Sequence, residues 1–386
     1  MVIFLVCLTI FTPQTIDEQP KIKLGNELLI ERHHSLIEGK RIGLITNQTG
    51  VNSRGESTAL ILARDKNTHL IALFTPEHGL DGKAKAGEYV ESDLHPEFQI
   101  PVYSLYGPTR KPTPAMLDNI DLLLFDIQDI GARSYTYIST LNYCMRAAKE
   151  FGKTVVVLDR PNPLGGLTVD GPVSEESFLT FVGVDILPMA HGMTVGELAR
   201  YFNRRIGVNL IVVPMDGFTR EMMFPDTGLR WIPPSPMIPD FISALCYLAT
   251  GMGEGIGVRQ DDFFRWVGGK GIDSEEFAWN LNQIGLRGVR FIPETKGESG
   301  GVRLDITDIR TFQPAIIGLY ILSCAHRLIK FPVPKSDQEL VMFDKIMGTA
   351  LVGELIEKDV SYQDLKNAYQ KSLENFKRER LKYLIY

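Results

Sequence analysis

Asp126, Gln128, Asp129, Arg133, Tyr135 and Tyr137 crowd into one short stretch, directly after the apolar run LLLF at residues 122–125. A run of that kind reads as a strand covered on both faces. Two carboxylates, an amide, a guanidinium and two phenols are costly to bury without a purpose. At the carboxyl end of a strand in an open α/β sheet they stand where ligands bind. Asp126, Gln128 and Asp129 suit three tasks: orienting a substrate, serving as a base, or binding a metal. A metal would want more carboxylates or histidines together, and the seven histidines are scattered. No metal and no cofactor are expected. The competing reading of Asp126 is a cap on loop backbone.

A second acid stands in Glu77-His78-Gly79, after the run HLIALF and Pro76. A glutamate braced by proline at a strand end and partly desolvated suits a general acid with a raised pKa. His78 would tune it or bind substrate; otherwise the pair satisfies a turn. Arg133 and Arg160 each follow a strand end. They suit either a bidentate grip on a substrate carboxylate or an internal salt bridge to Asp126, Asp129 or Asp159. Tyr135 and Tyr137 would stack on a sugar face or bond its hydroxyls, or else simply pack. Asn47, Gln48 and Asn162 add uncharged hydrogen-bonding groups on the same rims, in keeping with a polyhydroxylated ligand. His191 precedes a helix, and either serves the rim or caps that helix. Gly251, Gly253, Gly255 and Gly257 match neither the Walker nor the dinucleotide pattern, and no G-x-S-x-G elbow is present.

The elements that must position these residues repeat. Buried strands at residues 41–46, 69–74, 122–125, 154–159 and 209–213 each run into a polar turn. Helical stretches at 57–64, 137–151 and 195–205 separate several of them, and one more is expected over 22–37. Strand, turn, helix, strand in this order predicts an α/β fold, a Rossmann-like doubly wound parallel sheet. Thr194 and Glu197 form a capping box. From 171 to 188 the chain reads as loop. A proline- and glycine-rich span, 218–239, then leads to a second, smaller α/β domain with helices at 243–250, 275–284 and 314–328 and strands at 289–292 and 302–307. The division expected is 1–21 as a leader or unordered start, 22–235 as the Rossmann-like catalytic domain, and 236–386 as the smaller domain.

Net charge of −6 over 386 residues gives no reason to expect nucleic acid, which wants a basic surface. The apolar start, MVIFLVCLTI, has the length of a signal-peptide core and is too short to span a bilayer. Export is expected, without stable membrane insertion. Cys144, Cys246 and Cys324 lie far apart in apolar surroundings and read as buried free thiols. Oligomeric state is not legible.

Taken together, GLITNQTGV (43–51), LFTPEHGLDG (73–82), FDIQDIGARSYTYISTL (125–141), LDRPNPLGG (158–166), AHGMTVGELA (190–199), PSPMIP (234–239) and the final YLIY resemble the exo-β-N-acetylmuramidases. That glycoside hydrolase family was first known as a domain of unknown function. The resemblance runs from about residue 24 to 386. It implies a site in a cleft between the two domains, with Glu77 as the catalytic carboxylate. The implied activity is release of terminal N-acetylmuramic acid from peptidoglycan fragments. Asp126 or Asp129 would be its partner, acting on water or orienting the substrate's acetamido group. Muramic acid carries a lactyl carboxylate, which Arg133 or Arg160 is expected to grip. The segment 251–264 departs from the family pattern, with Ile256 and Val258 where Arg and Thr are usual, and Met237 replaces an Asn; Arg259 is the candidate substitute for the missing arginine. Two other classes compete with the hydrolase: a muropeptide-binding protein that does not cleave, and, more weakly, a nucleotide-sugar or dinucleotide enzyme.

Overall fold

The computed structural model describes residues 21–253 and 256–386. The leader expected over 1–21 lies almost wholly outside the described residues. Seven strands form the first sheet: β1 (Arg41–Thr46), β2 (His69–Thr75), β3 (Asp93–Leu94), β4 (Pro101–Ser104), β5 (Leu122–Asp126), β6 (Thr154–Leu158) and, after a two-stranded hairpin, the strand Asn209–Val213. The hairpin pairs β7 (Asp170–Val173) with β8 (Pro188–Ala190), so the strand at 209–213 is β9. Across the sheet the order is β3-β4-β2-β1-β5-β6-β9. All pairs are parallel except β3 with β4 at one edge.

Leaving out β3, the parallel strands run third, second, first, fourth, fifth, sixth in chain order, the doubly wound arrangement that places a crevice where the order reverses. Here that point lies between β1 and β5, with Thr46 paired to Asp126. Side-chain alternation along the strands explains why the sheet is covered twice. Ile45, Leu123, Phe125, Val155 and Val157 face a core shared with Ile138, Leu141 and Leu198 of the helices Tyr137–Glu150 and Val195–Ile206. Ile42, Leu44, Leu122, Leu124, Val156 and Leu158 face Leu28, Leu29 and Leu62 of the helices Gly25–Arg32 and Thr58–Arg64. The helix expected over 22–37 is shorter, ending at Arg32 and followed by a 3-10 turn, His34–Leu36. The capping box at Thr194 and Glu197 is made in full.

The second sheet is antiparallel, in the order β10-β11-β13-β12, from β10 (Arg259–Asp261), β11 (Trp266–Lys270), β12 (Val289–Pro293) and β13 (Ser299–Ile306). Periodicity hides β11 because two of its five residues are glycine. Gly268 and Gly269 pair with Gly301 and Gly300, and a Cβ on Gly301 would lie 2.4 Å from Cζ2 of Trp266. The indole thus takes the space that side chains would fill. The hairpin β7–β8 replaces what reads as loop, being short and broken by Gly171 and Pro172. Cys144, Cys246 and Cys324 are buried and free. Among the described residues no helix is long and apolar enough to cross a membrane.

Contacts tie the second half of the chain back onto the first. Asp170 of β7 accepts the Ile316 N–H at the start of the helix Pro314–Ile329. The Tyr386 hydroxyl donates to Asp159 at 2.8 Å, and the Ile385 N–H to Glu197 at 2.9 Å.

Candidate active site

Parallel pairing brings the carboxyl ends of β2, β1 and β5 onto one rim, since Phe74 lies opposite Ile45 and Thr46 opposite Asp126. Glu77 stands two residues beyond β2 and is half-buried. Its Oε1 accepts the Gly87 N–H at 2.9 Å and its Oε2 the Thr136 hydroxyl at 2.8 Å. Thr136 is the residue just before the helix Tyr137–Glu150, so the acid is clamped between the loop after β2 and the segment after β5. His78 beside it has φ of 73°, a left-handed backbone that a non-glycine residue adopts at a cost. Its Nδ1 sits 2.7 Å from the Ala84 carbonyl, which fixes the ring.

Tyr137 is the centre of the cluster. Its hydroxyl donates to the Pro234 carbonyl at 2.5 Å. Its ring meets His78 edge-on at 6.5 Å and Tyr135 at 4.8 Å. Burial pushes its phenol well above the ordinary value, and the Glu77 and Asp129 carboxylates push in the same direction, while Asn47 and Tyr135 beside it pull back. Asp129 is 4% exposed. Its Oδ2 accepts the Gly131 N–H at 2.7 Å and lies 3.8 Å from Nε2 of His191. Asp129 Oδ1, His191 Nε2 and Gln48 Oε1 are buried without a hydrogen-bonding protein partner. Buried orphans of this kind call for an explanation, and these three fall on residues that the sequence nominates, as do Asn47 Nδ2, Arg133 Nε and the Tyr135 hydroxyl. Tyr135 meets Tyr247 of the helix Phe241–Thr250 at 5.8 Å, so the second half of the chain supplies part of the wall.

Several expectations are corrected. Asp126 has no exposed surface; Oδ1 takes the Arg160 Nε at 2.5 Å, and Oδ2 takes Thr58 at 2.6 Å and Asn26 at 3.2 Å. Arg160 also donates to the Val51 carbonyl at 2.7 Å. The pair is the internal salt bridge, and both members are enclosed, at 0% and 4% exposed. Arg133, 1% exposed, donates to the carbonyls of Pro172, Leu187 and Ile346 at 2.6–2.7 Å. Burial alone pushes its guanidinium down to about 9. It pins β7 and β8 to the segment near Ile346 and is closed to any substrate. Asn162 bonds the Met193 carbonyl and the Leu164 N–H. Gln128 donates to the carbonyls of Asp129 and Pro161, holding the acid's backbone rather than a sugar. Arg259 is exposed and pairs with Asp261 at 3.0 Å over the Trp266 ring, all within the second sheet. His191 caps nothing; Thr194 does.

The structure therefore brings together Glu77, His78, Asn47, Tyr135, Tyr137, Asp129 and His191. It adds Thr136 and Gly87, which sequence reasoning missed. Thr136 lay unremarked inside the YTY stretch, and Gly87 acts through its backbone, which no motif betrays. Among the described residues no three His, Cys, Asp or Glu side chains stand together as a metal site requires.

A doubly wound α/β sheet with carboxylates after the ends of β2 and β5 on one rim defines a class of protein suited to acid–base chemistry on a polar substrate. Within that class, this chain belongs to the exo-β-N-acetylmuramidase NamZ family, whose N-terminal profile matches residues 42–242 and C-terminal profile residues 245–386. It is 41% identical over 384 residues to the peptidoglycan β-N-acetylmuramidase NamZ of Bacillus subtilis, covering 96% of this chain and 92% of that one. Among solved structures, two DUF1343 family proteins from Bacteroides fragilis share the fold. One has TM-score 0.85 and 37% identity, covering 95% of this chain and 99% of its own. The other has TM-score 0.72 and 26% identity over the same shares.

Proposed function

We propose that this protein is an exo-acting glycosidase that releases terminal β-linked N-acetylmuramic acid from peptidoglycan fragments. Glu77 protonates the departing glycosidic oxygen. Asp129, with His191 Nε2 3.8 Å from its Oδ2, supports the oxocarbenium-like transition state. The observation that carries the reading is the clamp: Glu77, after β2, accepts the Thr136 hydroxyl at 2.8 Å from the same segment after β5 that holds Asp129, in a chain 41% identical to a named muramidase. The apolar start of the sequence leads us to place this activity outside the cytoplasm, in turnover of wall fragments.

The test is hydrolysis of an aryl β-N-acetylmuraminide. Wild-type protein is expected to turn it over. Glu77→Gln keeps an acceptor for the Gly87 N–H and should lose roughly 10²–10⁴-fold in kcat, the usual worth of a positioned general acid, with an unchanged melting temperature. A folded wild type without turnover, or a fully active Glu77→Gln, would sink the proposal and favour a muropeptide-binding protein.

A further inference from the structure

With Arg133 and Arg160 sequestered, the rim needs another cation to recognise the lactyl carboxylate. Basic residues in the segments that leave β1, β2, β4, β5 and β6 at this end of the sheet are few. Arg54, Lys83 and Lys111 form ion pairs with Glu56, Asp81 and Glu150. Arg110 lies over the Phe181 ring at 4.3 Å. Arg133 and Arg160 are enclosed, as described. Lys85 is exposed, and among the described residues its ammonium has no ion pair; Arg230, after β9, is in the same state, but only Lys85 lies in the turn that holds Glu77.

Its place in the chain ties it to the acid. Residues 84 and 87, on either side of it, both contact the Glu77-His78 pair: the Ala84 carbonyl holds His78 Nδ1 at 2.7 Å, and the Gly87 N–H holds Glu77 Oε1 at 2.9 Å. A tight turn fixes this arrangement, since the Glu88 N–H donates to the Lys85 carbonyl at 3.0 Å and Gly87 has φ of 77°, a value that glycine meets without strain. Glu88 Oε2 accepts the Lys85 backbone N–H at 2.9 Å, and no ion pair forms between the two side chains. Gly82 packs against the Gln48 side chain and Gly79 against Val90, so the loop is seated along its length. Two residues of backbone span at most about 7 Å, which keeps the Lys85 Cα near the Gly87 amide and hence near the acid. A general acid at the anomeric oxygen and a cation one side-chain length away match muramic acid, whose lactyl ether sits on C3 of the ring whose C1 bears the scissile bond.

We propose that Lys85 selects muramic acid over glucosamine by pairing its ammonium with the lactyl carboxylate. The proposal rests on the glycosidase reading above for its substrate, and the contact is testable by binding as well as by turnover. Lys85→Met and Lys85→Arg should be assayed on an aryl β-N-acetylmuraminide and on its lactyl amide, which keeps the shape and loses the charge. Lys85→Met is expected to raise KM about tenfold for the acid, with kcat little changed and no effect on the amide. That factor corresponds to about 1.4 kcal/mol. Lys85→Arg should restore most of the loss. In parallel, calorimetric titration with free N-acetylmuramic acid and N-acetylglucosamine reads the contact without catalysis. Wild type should prefer the muramic acid, and Lys85→Met should abolish the preference. Equal KM changes on acid and amide, or an unchanged preference in Lys85→Met, would overturn the role of Lys85. Loss of hydrolysis in wild type with the binding preference intact would instead count against the glycosidase reading and support this contact.

Discussion

Asp126 and Asp129 are three residues apart and have opposite uses. Asp126 meets a guanidinium and two further side-chain donors, so its lone pairs are committed to the scaffold. Asp129 keeps one oxygen without a protein partner. The sequence presents both as carboxylates after a buried strand, and nothing local separates them. What separates them is Asn26, 100 residues upstream, and Arg160, 34 downstream, which only the folded sheet brings in. Arg133 is illegible for the same reason: its partners are backbone carbonyls, which every residue carries. Asp126→Asn should leave the Arg160 charge buried and unpaired. Breaking one side of a buried pair costs about 3–5 kcal/mol, so the urea midpoint should fall sharply. By contrast Asp129→Asn should leave the midpoint near wild type and lower turnover.

At the scale of elements, parallel strands and capped helices were legible because each carries its own signal. Continuous apolar runs gave β1, β2, β5, β6 and β9, and Thr194 with Glu197 marked a helix start. The antiparallel sheet was half hidden. β11 lacks alternation because its glycines abut those of β13, and the packing is supplied by one indole. Gly301→Ala should therefore destabilise more than an ordinary glycine-to-alanine change in a strand. Its Cβ would meet the Trp266 ring and, at 2.5 Å, the Val267 carbonyl, and backbone cannot yield cheaply. Overpacking of this kind costs about 1–3 kcal/mol, readable in equilibrium unfolding. The expected single helix over 22–37 also failed, because amphipathic spacing continues through residues that turn into a tighter 3-10 coil.

Across the whole molecule, the regions matched by the two family profiles are interlocked. Arg133 reaches the Ile346 carbonyl, Arg380 the carbonyls of Gly166 and Gly192, and Tyr386 and Ile385 the acids Asp159 and Glu197. No sequence pattern announces such long-range seams. They carry a pH signature. Burial raises the Asp159 carboxyl to about 7, with Glu197 adding to it, against the donors Gly196, Tyr386 and Thr194. Its value in the unfolded chain is about 4. Between these values the folded state holds a proton that the unfolded state has released, so stability falls as pH rises. Below about 4 both states are protonated and the slope vanishes. Melting temperature should decline from about pH 4 to pH 7 and level off above it, and Asp159→Asn should flatten that decline whatever its absolute stability.

The clamp on Glu77 has a kinetic corollary. One of its two donors is a main-chain amide at the tip of an exposed turn, so each outward excursion of that turn releases one oxygen of the acid. Deuterium uptake at the Gly87 amide would count those releases directly, giving the fraction of time the acid spends unhooked without any sugar present.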